Sequence, residues 1–246
     1  MPKFFVKKEQ IEKETIWIQG EDVKHIKDVL RLKMGDEIYV CNVENAENYR
    51  CQITGVEASN VKCSILEKLA SVAEPTIQVT IFQALPKQEK MEWILQKATE
   101  LGMSELVPVA TKYCVVKLDE KDKRKKQERW QKIVESAAKQ SGRDSIPRVA
   151  LPIQVATVLE QVPEFDLFLV AYEKEKEHTL KQELKNIPNK PIKIGIFIGP
   201  EGGIAEEEVQ SLQEKGAKVV TLGNRILRTE TVALNMLSNI LYEFEN

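Results

Sequence analysis

The chain has 246 residues, 42% hydrophobic and 30% charged, with a formal net charge of −2. This is ordinary globular composition, enough for one large or two modest domains. It excludes a disordered chain and a uniformly basic one, and no apolar run is long enough to span a bilayer. The first ten residues, MPKFFVKKEQ, lack the apolar stretch of a signal peptide, so a cytoplasmic location is expected. Cys41, Cys51, Cys63 and Cys114 form no CxxC pair. They are expected to be reduced structural thiols, and no metal is expected.

In chain order, residues 4–6, 15–18, 37–40, 49–56 and 61–66 read as short strands, with one helical pattern at 22–32. These elements predict a small β-barrel. The pattern lapses around 70–75, and the domain boundary is placed there, giving domains 1–72 and 73–246. The second domain reads as strands 77–82, 106–109, 167–171, 192–198 and 218–222. They alternate with helices 89–101, 127–139, 205–215 and 231–244. Strands alternating with helices predict an α/β fold with a mostly parallel sheet covered on both faces. In the first of these helices Met91, Ile94, Leu95, Ala98 and Leu101 share a face, and Gly102 is placed to cap it. The last helix carries a stripe of Ala233, Met236, Leu237, Ile240, Leu241 and Phe244, suited to a core or to a subunit interface.

One charge run stands out. Residues 117–132 hold eight Lys/Arg against four Asp/Glu. The run reads either as a solvated helix start or as a phosphate-contacting arm, with Trp130 and Arg143 on the same or the following element.

Two segments carry most of the functional signal, IGPEGGI at 198–204 and LGNRILRTET at 222–231. Each follows a β-rich run and precedes a helix. Loops at the carboxyl ends of adjacent parallel strands form a crevice, the usual ligand site of an open α/β sheet. The chain contains neither GxGxxG nor GxxxxGK[ST], and no GxSxG elbow. His25 and His178 are its only histidines, which disfavours a Ser-His-Asp triad. Glu206 to Glu208 read as the acidic first turn of a helix rather than metal ligands. A metal-free site for a flat heterocycle with a short zwitterionic tail is the chemistry left.

These two segments, with ALPKQEKMEWILQKATELG at 84–102 and HIKDVLRLKMGDEI at 25–38, resemble the bacterial 16S ribosomal RNA uridine N3-methyltransferases of the SPOUT superfamily. The four blocks occur in the family's order and span nearly the whole chain. The resemblance implies a C-terminal SPOUT-type parallel sheet with a trefoil knot, an N-terminal PUA-like barrel that binds RNA, and a homodimer. It implies S-adenosylmethionine as cofactor, held by Gly199, Gly202 and Gly203 in the first loop. In the second loop it implies Leu222, Gly223, Asn224, Arg225, Ile226 and Leu227. The substrate it implies is ribosomal RNA of the small subunit, methylated at N3 of a uridine. Because that nitrogen is protonated and a poor nucleophile, a charged group beside the crevice is needed. Arg228 is the first candidate, to stabilise the uracil anion or hold a phosphate unless it pairs with Glu201 or Glu230. Glu201 is the second, to orient the cofactor or accept a proton. Lys3, Lys8, His25, Arg31 and Arg143 are the RNA-contacting candidates. Lys3 stands where the family usually has arginine, and Lys112-Tyr113-Cys114 stands where an Arg-Ser pairing is commoner. A related methyltransferase with another RNA nucleotide as target, or a noncatalytic ribosome-assembly factor, is the alternative reading.

Overall fold

The structure is a computed structural model that describes residues 1–87, 89–187, 190 and 192–245. The chain divides into two compact units, one of Met1–Glu74 with Ala138–Ile146, the other of Pro75–Ala137 with Pro147–Asn246.

The first unit is a curled, six-stranded sheet. Its strands are β1 (Lys3–Val6), β2 (Ile11–Glu12), β3 (Thr15–Gln19), β4 (Glu37–Asn42), β5 (Glu47–Val56) and β6 (Asn60–Leu69), in the order β1-β4-β5-β6-β3-β2. Only the β1–β4 pairing is parallel. The period-two alternation sends Phe4, Val6, Ile16, Ile18, Ile38, Val40, Ile53 and Val61 into one core. Cys51 and Cys63 lie in the same core, where burial pushes both thiols up to about 12, so they are inert packing groups. The helical pattern at 22–32 is realised as a short helix α1 (Glu21–Lys24) running into a π-helical turn at His25–Val29.

Residues 138–146 belong to this first unit, which a single boundary at 72/73 does not foresee. The reason is a polar hub. Asp144, with a side chain 5% exposed, pairs with the Lys3 ammonium and accepts hydrogen bonds from Ser71 Oγ at 2.7 Å and from the Val72 and Ala73 N–H groups at 3.1 Å. Next to it Arg143, 4% exposed, pairs with Glu74, which also accepts from Ser145 Oγ at 2.6 Å. Burial pushes the Asp144 carboxyl up, but Lys3, Ser71 and the Ala73 N–H outweigh it and hold the group below its ordinary value. Glu74 is held low by Arg143 and Ser145 against the same burial. A depressed carboxylate contributes stability that is complete above its unfolded value, about 4, and is lost as pH falls through the folded value. The first unit should therefore lose stability below about pH 4. Asp144→Ala, which strands a buried lysine and three donors, should cost about 3–5 kcal/mol at neutral pH and remove much of that acid dependence. Urea titrations of both proteins between pH 3 and 7 check this; parallel pH profiles would contradict it.

The second unit is built on strands β7 (Gln78–Ala84), β8 (Glu105–Ala110), β9 (Arg148–Val149), β10 (Ile153–Gln154), β11 (Leu167–Ala171), β12 (Lys193–Ile198) and β13 (Lys218–Val220). All its pairings are parallel, in the order β10-β8-β7-β12-β11-β13, with β9 also on β8. β12 lies between two strands that precede it in the chain. The helices are α2 (Lys90–Leu101), α3 (Glu120–Ser141), α4 (Val155–Gln161), α5 (Leu180–Lys185), α6 (Glu206–Glu214) and α7 (Thr229–Glu245). Both sheet faces are covered, as near-continuous apolar strands require. Phe82, Phe168, Val170 and Phe197 form one face's core with Val209 and Leu212 of α6. Ile81, Ile196 and Ile198 alternate with these along their strands, and α2 and α7 pack against each other.

Three features depart from the sequence reading. Gly102 does cap α2 in the left-handed region (φ 106°), but Leu101 is 38% exposed rather than part of the buried stripe. α3 begins at Glu120, so the charge run expected ahead of the helix is mostly helical itself. The apolar stripe of α7 is buried within its own unit at Ala233, Met236, Leu237, Ile240 and Leu241. It is core, and therefore not an exposed face for a second subunit.

Candidate active site

The loops after β12 and β13 do come together, but those strands are not neighbours. β11 lies between them, which brings a third loop, Tyr172 to Lys176, into the same crevice. The cavity has a volume of about 530 Å³, within the usual range for small-molecule sites, and opens at the carboxyl ends of the three strands.

Every cofactor candidate lines it: Gly199, Gly202 and Gly203 from the first loop and the whole of 222–227 from the second. The glycines are required by close approach. A Cβ on Gly199 would lie 2.7 Å from Ile204 Cγ1, and one on Gly202 would lie 3.2 Å from Tyr113 Cβ. Gly203 has φ +77°, and a Cβ there would lie 2.5 Å from Glu173 Oε1. In the second loop the backbone N–H groups of Asn224, Arg225, Ile226 and Leu227 have no hydrogen-bond partner among the described residues, and the Ile226 side chain is 89% exposed. These are donors and apolar surface available to a flat ligand. The Tyr172 hydroxyl, also in the wall, is buried near the Lys174 ammonium without a hydrogen bond of good geometry among the described residues.

A buried relay joins the loops. Thr229, at the start of α7, donates its hydroxyl to the Gly199 carbonyl at 2.7 Å and accepts from Gln83 Nε2 at 2.9 Å. Gln83, the residue before the last of β7, is fully buried, so the sheet itself fixes both loops.

Arg228 lines the crevice, is exposed and has no ion-pair partner among the described residues. Its anticipated partners are occupied by a residue the sequence reading did not single out. Lys90, the first residue of α2, places its Nζ 2.9 Å from Glu201 Oε1 and 3.4 Å from Glu230 Oε2. The second contact is ionic only, because Glu230 Oε2 is buried without a hydrogen bond among the described residues. Glu201 also accepts from the Lys87 N–H at 3.2 and 3.3 Å. Burial alone would raise the Glu201 carboxyl; Lys90 and the backbone donors more than cancel this and hold it low. A carboxylate so stabilised is a weak proton acceptor, and its placement suits the orienting role better than the basic one. Lys90 was hidden because its partners lie 111 and 140 residues away, beyond any local pattern.

The RNA-contacting candidates separate into two groups. Lys8, His25 and Arg31 are exposed on the first unit. Lys3 and Arg143 are instead committed to Asp144 and Glu74, and these ion pairs consume the charge the sequence reading assigned to RNA. Among the described residues no group of three or more His, Cys, Asp or Glu could hold a metal.

A parallel α/β sheet whose carboxyl-end loops enclose a small-molecule crevice, in a chain that also carries a curled β unit, defines a two-part α/β protein with its ligand site at the strand ends. Comparison with known proteins makes the assignment definite: the chain belongs to the RNA methyltransferase family. The model described as RNA methyltransferase domain matches residues 73–241, and that described as RNA methyltransferase PUA domain matches residues 18–66. The chain is 40% identical over 251 aligned residues to the ribosomal RNA small subunit methyltransferase E of Bacillus subtilis (strain 168), covering 100% of this chain and 98% of that one. It is 36% identical to the protein of the same name from Mesomycoplasma hyopneumoniae (strain 232), covering 98% and 99%. Among solved structures, a ribosomal RNA small subunit methyltransferase E from Neisseria gonorrhoeae bound to S-adenosyl methionine matches with a TM-score of 0.86 and 29% identity, covering 98% and 97%.

Proposed function

We propose that the protein transfers a methyl group from S-adenosylmethionine to N3 of a uridine in 16S ribosomal RNA. The observation that carries this is the three-loop crevice, which joins glycine-lined backbone with N–H groups and a guanidinium that have no partner among the described residues. Full-length similarity to small-subunit methyltransferases supports it, as does a structural relative that binds the same cofactor. When bound, the cofactor would supply a methyl group on a cationic sulfur for transfer to uracil N3, whose proton passes to solvent while the sulfur is left as a neutral thioether. Leu222, Ile226 and Leu227 pack against the adenine, and the N–H groups of 224–227 read its edge. Arg228 offsets the charge that uracil O2 or O4 acquires as the N3 proton leaves. Glu201, held ionised by Lys90, keeps the first loop in place. Lys8, His25 and Arg31 contact RNA from the first unit.

We further infer that the protein acts in the cytoplasm as a homodimer, with a partner subunit covering the exposed Ile226 side of the crevice. Insertion of β12 between two earlier strands supports the threaded trefoil implied by the resemblance. In 16S RNA from cells lacking the gene, nucleoside mass spectrometry should show loss of one 3-methyluridine, restored by the intact gene. An unchanged nucleoside profile would remove the substrate assignment, and sedimentation of the purified protein as a monomer at micromolar concentration would remove the dimer.

A further inference from the structure

The charge run left unabsorbed by the crevice lies on the first half of α3. There Lys123 pairs with Glu120, Arg129 pairs with Glu92, and the Lys126 ammonium sits 5.7 Å from the Trp130 ring centroid. Lys121, Arg124 and Lys125 are exposed and have no ion-pair partner among the described residues. Helix physics opposes this arrangement. Lys121 and Lys125 are like charges four residues apart, and cations near a helix N-terminus face the positive end of its dipole. From Lys125 the surface relief leads toward the crevice. A hollow holding Lys125, Glu128, Arg129 and Lys132 shares Ile133 with a second hollow that holds Trp93, Lys90, Glu89 and Glu92, the last neutralised by Arg129, and Lys90 also lines the crevice. Trp93, midway along this trough, is 44% exposed.

We infer that the outer face of α3 and the trough beside Trp93 hold a single RNA strand flanking the nucleotide in the crevice. Lys121, Arg124 and Lys125 contact its phosphates, and the indole stacks on one base. Free cations interleaved with an exposed aromatic are the features of a sequence-tolerant single-strand track. A second copy of the chain is the competing occupant. The local excess of eight Lys/Arg over four Asp/Glu disfavours it, because a two-fold contact centred there would set like charges against each other.

The inference rests on RNA being the substrate, and the test separates the two. Binding of a 16S ribosomal RNA transcript is measured between 50 and 200 mM salt for the unmodified protein, for Lys121→Ala/Arg124→Ala/Lys125→Ala, and for Trp93→Ala. Lys181→Ala/Lys185→Ala/Lys215→Ala, on α5 and at the end of α6, serves as a charge-matched control. Three lost phosphate contacts should flatten the salt slope by about 2.1–2.7, so that over this range the unmodified protein loses roughly 20–40-fold more affinity than the triple variant. Trp93→Ala should weaken binding roughly 5-fold or more with the slope retained. The control should match the unmodified protein. Alanine is a good helix former, so the triple variant should fold and bind S-adenosylmethionine normally by calorimetry. An unchanged slope overturns the inference, and so does a shift in sedimentation with unchanged RNA affinity, which would assign the face to a second copy. If the unmodified protein does not bind the transcript at all, the substrate reading fails and this inference fails with it.

Discussion

Replacing Arg228 with alanine is expected to slow methyl transfer by about 10²–10³-fold while cofactor affinity stays close to that of the unmodified protein. The expectation follows from what the guanidinium lacks. Glu201 and Glu230 are engaged by Lys90, and Glu173, the other carboxylate of the crevice wall, makes no ion pair with Arg228, which has no ionic partner among the described residues. A free cation at that wall can act on a uracil whose N3 proton must leave. Uridine N3–H is a weak acid, and a fixed cation beside O2 or O4 stabilises the anion without having to accept the proton itself. Two outcomes distinguish this from a phosphate-holding role. If Arg228 stabilises the anion, Arg228→Ala should lower kcat with little effect on KM for RNA, and its rate should recover as pH rises, because solvent then removes the proton unaided. If it only grips a phosphate, KM should rise and alkaline pH should give no recovery. Arg228→Lys should fall between the two proteins, since it keeps the charge and loses the two-pronged donor geometry. Full activity in Arg228→Ala would take the residue out of the reaction.

What could be read in advance follows from the range of the interactions involved. The alternation of strands and helices is local, and the parallel sheet and both glycine loops emerged where the pattern placed them. The short elements β9, β10, α4 and α5 did not, because two to seven residues carry too little periodicity to stand out. Strand order was a larger loss. The loops at 198–204 and 222–231 appeared to follow adjacent strands, whereas β11 separates β12 from β13 and contributes Tyr172, Glu173 and Lys176 to the wall. Ion pairs were the least legible. Lys3 and Arg143 read as free cations although Asp144 and Glu74 stand opposite them, and Arg228 read as the crevice cation with Glu201 or Glu230 as alternative partners, which Lys90 occupies instead. A charge in a sequence has no direction. Whether it serves stability or binding is set by a partner whose position only the fold supplies.

The largest effect on cofactor binding is expected from Gly203→Trp, which acts on the crevice in two separable ways. Gly203 is in the left-handed region at φ +77°, where any L side chain costs about 1–2 kcal/mol. Its Cβ direction also points at Glu173 Oε1, 2.5 Å away, so any side chain must displace the end of that exposed carboxylate. Gly203→Ala incurs the backbone strain and the displacement of Glu173 but adds almost no volume. Gly203→Trp adds an indole to a space of about 530 Å³ that must also admit the whole cofactor. Calorimetry with S-adenosylmethionine should therefore show a moderate weakening for the alanine variant and no measurable heat for the tryptophan variant, an affinity loss of at least about 100-fold. Thermal unfolding should fall by similar, small amounts in both, because the loop is tied to the sheet through Gly199 and Thr229 rather than through Gly203. Equal cofactor affinities in the two variants would mean that backbone strain alone governs the site. Binding by Gly203→Trp at the level of the unmodified protein would place the methyl donor somewhere other than between these loops.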